Sequence, residues 1–550
     1  MNNNRIKVTN TAIIIEDYTW HSCEKLEKPF QLFDPVTHKI NYQGLYYDED
    51  SKRLYLPAGM DLWYVKSCLN EKYYDRISCT KFKEFNENIG IKFKPRSEEQ
   101  EEALKFMLGL REYENNQNLS QLSVNLSTGI GKTYCSIATI TYFRINSIII
   151  TGSNSLLSQW ESEILKYSNI KPEEIIRISG SDYCNMILNG TSGKANNGKV
   201  FLCSHGTIRS FADRYGWNKV SKLFEYLGIG LKFYDEAHTN YDNMCMIEFF
   251  TNVWKTYYVT ATPGRSNWRE NKIFQISLKN VPAIDLFDER RNHTSYVAIK
   301  WNSNPSAQAI SACKSRVYGM DRNKYINYVT NKPEFYQMMR IIMDMVKTAT
   351  SKGGKVLMYI GTNDGILRLY YWIMQEYPEY IGRIGIFTSI VDKEDKLKEK
   401  QKKILLSTTK SAGLGEHIEG LKMTILLAEP FKSEILARQT LGRTRDDNTL
   451  YVELVDMGFL YCRKFYQAKL PVFNKYAKDV SDTMIDSYEM NRRSEIIEQE
   501  RDNGAMPAFT FYDDRFDFQS VIPKFMKREE GPIKAFRFIK GKNNYPYFKK

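Results

Sequence analysis

Cysteine is scarce and unpatterned in this chain: nine residues in 550, with no Cys-x-x-Cys pair anywhere. An odd, scattered set excludes a disulfide framework and a thiolate zinc site, and it suits a reducing cytoplasm. No apolar run approaches the roughly 20 residues that cross a bilayer, so no membrane-spanning helix is expected. The opening MNNNRIKVTN lacks the apolar stretch of a secretory leader. Short-period repeats and low-complexity tracts are absent as well. Negative charge is outnumbered, with 65 Asp and Glu against 78 Lys and Arg, for a net charge of +13. That surplus points to a polyanionic partner, nucleic acid first.

What is present is an ordinary globular composition, 42% hydrophobic and 26% charged, at a length that suits three or four domains. Residues 1–92 read as a small α+β domain that binds DNA or a partner. TAIIIED is a strand, LYYDEDSKRLYLPAG a hairpin turning at Asp48–Lys52, and DLWYVKSCL a short helix. From residue 93 to 290 short apolar runs alternate with helical stretches: LSVNLS, NSIIIT, KVFLCS, LKFYDE and TYYVTA. That rhythm predicts a parallel sheet covered on both faces. It returns over 291–470 in SYVAIKW, KVLMYI, RIGIF, KILLST, MTILLAE and TLYVELVD, with a helical insertion at 302–335. Residues 471–550 read as a charged helix through YAKDVSDTMIDSYEMNRRSEIIEQE, then a basic tail. Its last 27 residues hold nine Lys and Arg against two Glu, with six interleaved aromatics.

Two stretches carry chemistry. LSTGIGKTYCS (126–136) lies between a strand and a helical pattern. Gly129 and Gly131 let the backbone turn tightly, so that the N–H groups of Thr128 to Gly131 point at phosphate oxygens. Lys132 then reaches the β- and γ-phosphates, and the Thr133 hydroxyl ligates Mg²⁺. LKFYDEAHTN (231–240) sets Asp235 and Glu236 side by side at a strand end. Buried acids are costly unless paired or holding a metal. The reading is that Asp235 holds the Mg²⁺ of bound ATP, while Glu236 deprotonates the attacking water.

Together these resemble a superfamily 2 helicase of the DEAH type over about residues 93–460. LSTGIGKT resembles motif I, with Leu126 where the family has its first Gly; DEAH resembles motif II and YVTATPGR (258–265) motif III. The resemblance implies two tandem RecA-like domains, ATP hydrolysis and movement on DNA. KPRSEEQEEAL (94–104) resembles the adenine-reading segment, which gives Arg96 and Gln100 to the base. His238 couples the ATP site to Thr260 and Thr262 of motif III. SIIITGSNSLLSQW resembles motif Ia and FLCSHGTIRSF motif Ib, which gives Ser153 and Thr207 to the phosphodiester backbone. KILLSTTKSAGLGEHIEGL resembles motif V, through Thr408 and Thr409. Gly415 stands where the family has Asp. LARQTLGRTRDD resembles motif VI: Gln439 faces the γ-phosphate, and Arg443 or Arg445 is the arginine finger.

The chain is also similar to bacteriophage helicases of recombination, branch migration and replication restart, with DNA favoured over RNA. In the basic tail, Phe536, Phe538, Tyr545 and Tyr547 are candidates for stacking on bases. The expectation is a cytoplasmic monomer. Two rivals stand beside it: a non-hydrolysing architectural protein on the same fold, and the motor subunit of a restriction complex.

Overall fold

A computed structural model describes the chain except for residues 1–3, 35–36, 86–88, 128–129, 262–263, 265–267, 287–292, 316–318, 413–417, 444–448, 503–536, 541–545 and 550. The chain forms two compact units, Met1–Asp288 and Glu289–Lys550.

The first unit begins with a five-stranded sheet of β1 (Ile6–Val8), β2 (Ala12–Ile15), β3 (Tyr46–Asp48), β4 (Arg53–Pro57) and β5 (Asp75–Arg76), ordered β3-β4-β2-β1-β5. The expected hairpin forms, with Tyr46 opposite Tyr55. The expected helix forms as Leu62–Leu69, capped by Asp61, whose carboxylate accepts the Trp63 N–H at 3.0 Å. This sheet is not free-standing. Tyr46 and Tyr55 pack on Phe249 and Phe250 of helix Tyr241–Phe250, with ring centroids 5.2 to 6.1 Å apart. Such ring pairs contribute about 0.5–1.5 kcal/mol each beyond simple burial. Gly59 lies so close to helix Trp268–Ser277 that a Cβ there would come within 2.5 Å of the Ser277 carbonyl oxygen. One apolar core therefore runs from the N-terminal strands to one face of the parallel sheet behind them.

That parallel sheet has seven strands: β6 (Gln121–Leu126), β7 (Ser147–Thr151), β8 (Ile175–Ile178), β9 (Val200–Ser204), β10 (Leu231–Asp235), β11 (Lys255–Thr260) and β12 (Ala283–Leu286). Their order is β8-β9-β7-β10-β11-β6-β12, all parallel. β6, β7, β9 and β11 are buried along their whole length, which is why they read as continuous apolar runs.

The second unit repeats the plan with β13 (Thr294–Trp301), β14 (Lys355–Ile360), β15 (Ile384–Phe387), β16 (Ile404–Ser407), β17 (Leu421–Ala428), β18 (Thr449–Asp456) and β19 (Val480–Met484). Its order is β15-β16-β14-β17-β18-β13-β19. Counted within each sheet, both read 3-4-2-5-6-1-7. These are two tandem RecA-like sheets, with the small α+β region ahead of the first. The helical insertion after β13 is present as Ala307–Ala312 and Arg322–Val329, followed by Pro333–Ser351.

One stretch differs from the sequence reading. Residues 476–500 were expected to be helical, yet β19 occupies Val480–Met484 and helix starts only at Ser487. All five residues of β19 are exposed, so no buried face imposes an apolar pattern. Parallel pairing with β13 makes it a strand. In the tail, Phe538 and Tyr547 lie on a short antiparallel pair, Arg537–Lys540 with Pro546–Lys549. Phe536 and Tyr545 fall outside the described residues. The nine cysteines are all free thiols. Among the described residues no helix is long and apolar enough to cross a membrane.

Candidate active site

The site is built at the carboxyl ends of β6, β10 and β11, where open α/β sheets bind ligands. After β6 the chain turns at Gly131, whose φ of +112° lies outside the range most side chains accept. A Cβ at Gly131 would also sit 2.2 Å from the Gln100 amide nitrogen. Lys132 and Thr133 are the first two residues of helix Lys132–Phe143, so both stand at a helix N-terminus. Free N–H groups there favour anions. Thr128 and Gly129 of the loop fall outside the described residues.

Gln100 is buried, 2% exposed, rather than a solvated helix position. Its amide donates to the Ile130 carbonyl at 2.9 Å and accepts the Arg96 N–H at 2.8 Å. Helix Glu98–Leu108 starts at Ser97, whose Oγ accepts the Gln100 N–H at 3.3 Å. A cap of this kind is worth about 1 kcal/mol. Gln100 thus fastens the phosphate loop to the segment carrying Arg96.

Across the sheet, β10 ends at Asp235 and the chain turns at Glu236, a non-glycine residue with φ of +53°. The turn is held by the N–H and hydroxyl of Thr239, both donating to the Glu236 carbonyl at 2.8 Å. It aims the Glu236 carboxylate at the loop: Lys132 Nζ lies 2.8 Å from Oε1. Asp235 is half-buried at the strand end, and desolvation pushes its carboxyl above the usual range. The neighbouring Glu236 charge adds to that, while Lys132 and the Trp160 indole pull it back. Trp160 Nε1 donates to Asp235 Oδ2 at 2.9 Å. His238 Nδ1 sits 2.7 Å from Thr260 Oγ1 and 3.5 Å from Glu236 Oε2. The acid pair and the end of β11 are thereby joined through one imidazole. Thr262 falls outside the described residues.

Two adjacent carboxylates, a lysine at a helix start and a Gly131 that admits no Cβ have the chemistry that a nucleotide phosphate with a divalent cation needs. Ser153 is exposed just past β7. Thr207 is buried, its N–H and hydroxyl both at the Ser204 cap of helix His205–Tyr215.

In the second unit Thr409 is buried, with its N–H 3.0 Å from Glu429 Oε2 and its hydroxyl bonded to Oε1. Thr408 donates to Ser411 Oγ at 3.0 Å. Gln439 is buried near the end of helix Glu434–Leu441. Arg443 follows, near enough to Tyr359 to draw its phenol pKa down against the rise that burial imposes. Arg445 falls outside the described residues, as do Gly415 and Glu416 of the motif V stretch.

Two residues went unnoticed in the sequence. Trp160 holds Asp235; a buried tryptophan needs an acceptor for its N–H, and that need is the available signal. Glu429 follows β17, the fifth strand of its parallel sheet, as Asp235 ends β10, the fifth strand of the other. It gathers Thr409 and Arg322, the latter at 3.3 Å. An acid closing an apolar strand was the same clue in both places.

Residues 92–265 match the family model described as type III restriction enzyme, res subunit. That stretch spans the phosphate loop, the acid pair and the end of β11. No curated protein sequence matches the chain. Among solved structures it is similar to S. cerevisiae Dbp5 bound to RNA and ADP–BeF3, at 14% identity and a TM-score of 0.49, covering 74% of this chain and 94% of that one. It is also similar to T4 UvsW, at 15% identity and a TM-score of 0.32, covering 88% and 99%.

Proposed function

We propose that this chain is an ATP-driven superfamily 2 motor of the DEAH type that moves on or unwinds DNA, in phage-type replication, recombination or repair. The observation that carries the reading is the placement of Lys132 against Glu236, with Asp235 beside it at the strand end. The family match over residues 92–265 supports it, and so does a second sheet of identical strand order.

In this reading the loop Thr128–Gly131 cradles the phosphates of ATP and Lys132 neutralises them. Arg96 and Gln100 border the base. Thr133 and Asp235 would hold Mg²⁺, which supplies positive charge to the β- and γ-phosphate oxygens when bound. Glu236 takes the proton from the attacking water. His238 relays the state of that acid to Thr260 and onward to Thr262. Gln439 and Arg443 or Arg445 stabilise the transition state, and Ser153, Thr207, Thr408 and Thr409 hold the nucleic-acid backbone. The net charge of +13 suits a polyanion. The protein works as a monomer in the cytoplasm, that of the host if it is viral.

The test is steady-state ATP turnover with single-stranded DNA, duplex DNA, a four-way junction and RNA. Strong stimulation by one DNA form, lost in Lys132→Ala, is expected. Equal turnover with and without every nucleic acid would sink the motor. Stimulation by RNA alone would overturn the DNA assignment. The matched family description favours one second reading, the motor subunit of a restriction complex. Cleavage of DNA that appears only with a partner nuclease subunit would establish that reading.

A further inference from the structure

The N-terminal sheet carries a surface that the ATP site does not use. Helix Leu62–Leu69 turns Trp63 outward, 79% exposed, and Tyr73 just beyond it is 71% exposed. Tyr74 joins them at 42%. Leaving rings of this size in water forfeits the burial energy that aromatic side chains ordinarily contribute. They are not scattered singly. The Lys66 ammonium lies 4.6 Å from the Trp63 ring centroid and 5.8 Å from that of Tyr74, so one cation bridges two exposed rings.

The charges around them are mixed. Residues 61–76 hold Lys66, Lys72 and Arg76 against Asp61, Glu71 and Asp75. Asp61 is engaged by the helix cap and by Lys279 at 2.9 Å. Asp75 accepts the Asn4 amide at 2.6 Å. With Lys279 counted, four cations stand beside three acids, and Lys66 lies directly against two of the rings.

We propose that Trp63, Tyr73 and Tyr74, with Lys66 and Lys72, form a stacking platform for unpaired bases of a nucleic-acid strand. Exposed rings offer faces to bases of any sequence, and interleaved lysines neutralise the phosphates between them. A protein partner fits less well, because lysine is depleted in protein–protein interfaces where aromatics and arginine are enriched. Duplex fits less well because its bases are already stacked. The surface rests on the reading of the chain as a nucleic-acid motor, to which it adds a strand contact outside the parallel sheets. It is braced on the ATP-binding unit by the shared apolar core, so a strand held there is held by the body that binds ATP.

The experiment uses the full chain with Trp63→Ala and Tyr73→Ala combined, and separately Lys66→Glu. Both rings are exposed, so folding is unperturbed, and circular dichroism checks that. Affinity for a fluorescein-labelled oligothymidine is measured without nucleotide, beside a blunt duplex and at two salt concentrations. ATP turnover without nucleic acid is read in parallel. The ring variant should weaken single-strand binding roughly tenfold to a hundredfold, from the stacking lost per base. Duplex binding and basal turnover should stay unchanged. Lys66→Glu should lower affinity and flatten its salt dependence. Unchanged single-strand affinity in the ring variant overturns the platform and assigns the rings to a protein contact. Ring-dependent binding in a chain that turns over no ATP keeps the platform and removes the motor, so the two failures read differently.

Discussion

Lys132 Nζ and Glu236 Oε1 lie 2.8 Å apart, both side chains largely shielded from water. The proposed phosphate-binding lysine and the proposed base therefore form an ion pair with each other. In the proposed function, an incoming phosphate would compete for the lysine and release the carboxylate toward the attacking water. Glu236→Gln should keep nucleotide affinity and lose turnover by about 10² to 10⁴. Lys132→Ala should lose affinity as well. Equilibrium binding of a fluorescent ATP analogue, beside phosphate release, checks the split. Loss of binding in Glu236→Gln would contradict it.

Trp160 gives the Asp235 carboxylate a fixed orientation through its indole N–H. Trp160→Phe keeps the packing and removes that donor. Partners that orient a metal-holding carboxylate are worth about 10- to 100-fold in metal affinity. Half-saturation of turnover by Mg²⁺ should therefore move to higher concentration, with a smaller loss at saturating Mg²⁺. An unmoved Mg²⁺ titration would show that the indole only fills space.

His205 is buried against the Tyr234 ring, its centroid 5.6 Å away, and burial lowers its pKa from 6.5 to about 4. The unfolded chain takes up a proton below pH 6.5 that the folded chain refuses until about pH 4. The stability carried by the neutral ring is thus full above pH 6.5 and is lost as pH falls toward 4, by roughly 3 kcal/mol. His205→Phe preserves the ring stack and removes this term. Urea unfolding at pH 7.5, 6 and 5 should show the variant gaining on the parent as pH drops. Parallel pH curves would refute the assignment.

Lys232 is fully buried and ion-paired to Glu248, which also accepts from Tyr234 at 2.8 Å and Tyr258 at 3.0 Å. Lys232→Met alone strands a buried carboxylate, so a loss of roughly 3–5 kcal/mol is expected. Adding Glu248→Leu should restore a good part of it. Urea midpoints of the two singles and the double decide this; strictly additive losses would mean that the pair is not coupled.

The sequence was most legible where backbone chemistry leaves little choice. A phosphate loop needs Gly131, and Gly131 was visible; an acid pair ending an apolar run is rare enough to notice. The fully buried strands announced themselves through β-branched runs. What stayed hidden depends on contacts distant in sequence. Trp160 lies 75 residues from Asp235, and nothing local to either says that they meet. Gln100 stood out in the sequence as a candidate for the adenine edge, but its hold on the Ile130 carbonyl appears only once helix and loop are folded together. β19 is solvated and polar, so its identity comes from its neighbour rather than from its own residues.

The shared strand order also dictates how the protein can be made. In each parallel sheet the first strand in sequence ends up between the sixth and the seventh. β6 waits for β11 and β12, and β13 waits for β18 and β19. During synthesis neither sheet can close until its final strand has left the ribosome, and pairings this distant form slowly. A nascent chain that stalls at residue 470 would present β13 with one side unpaired, open to another strand. The strand least visible in the sequence is therefore the one that closes the second sheet.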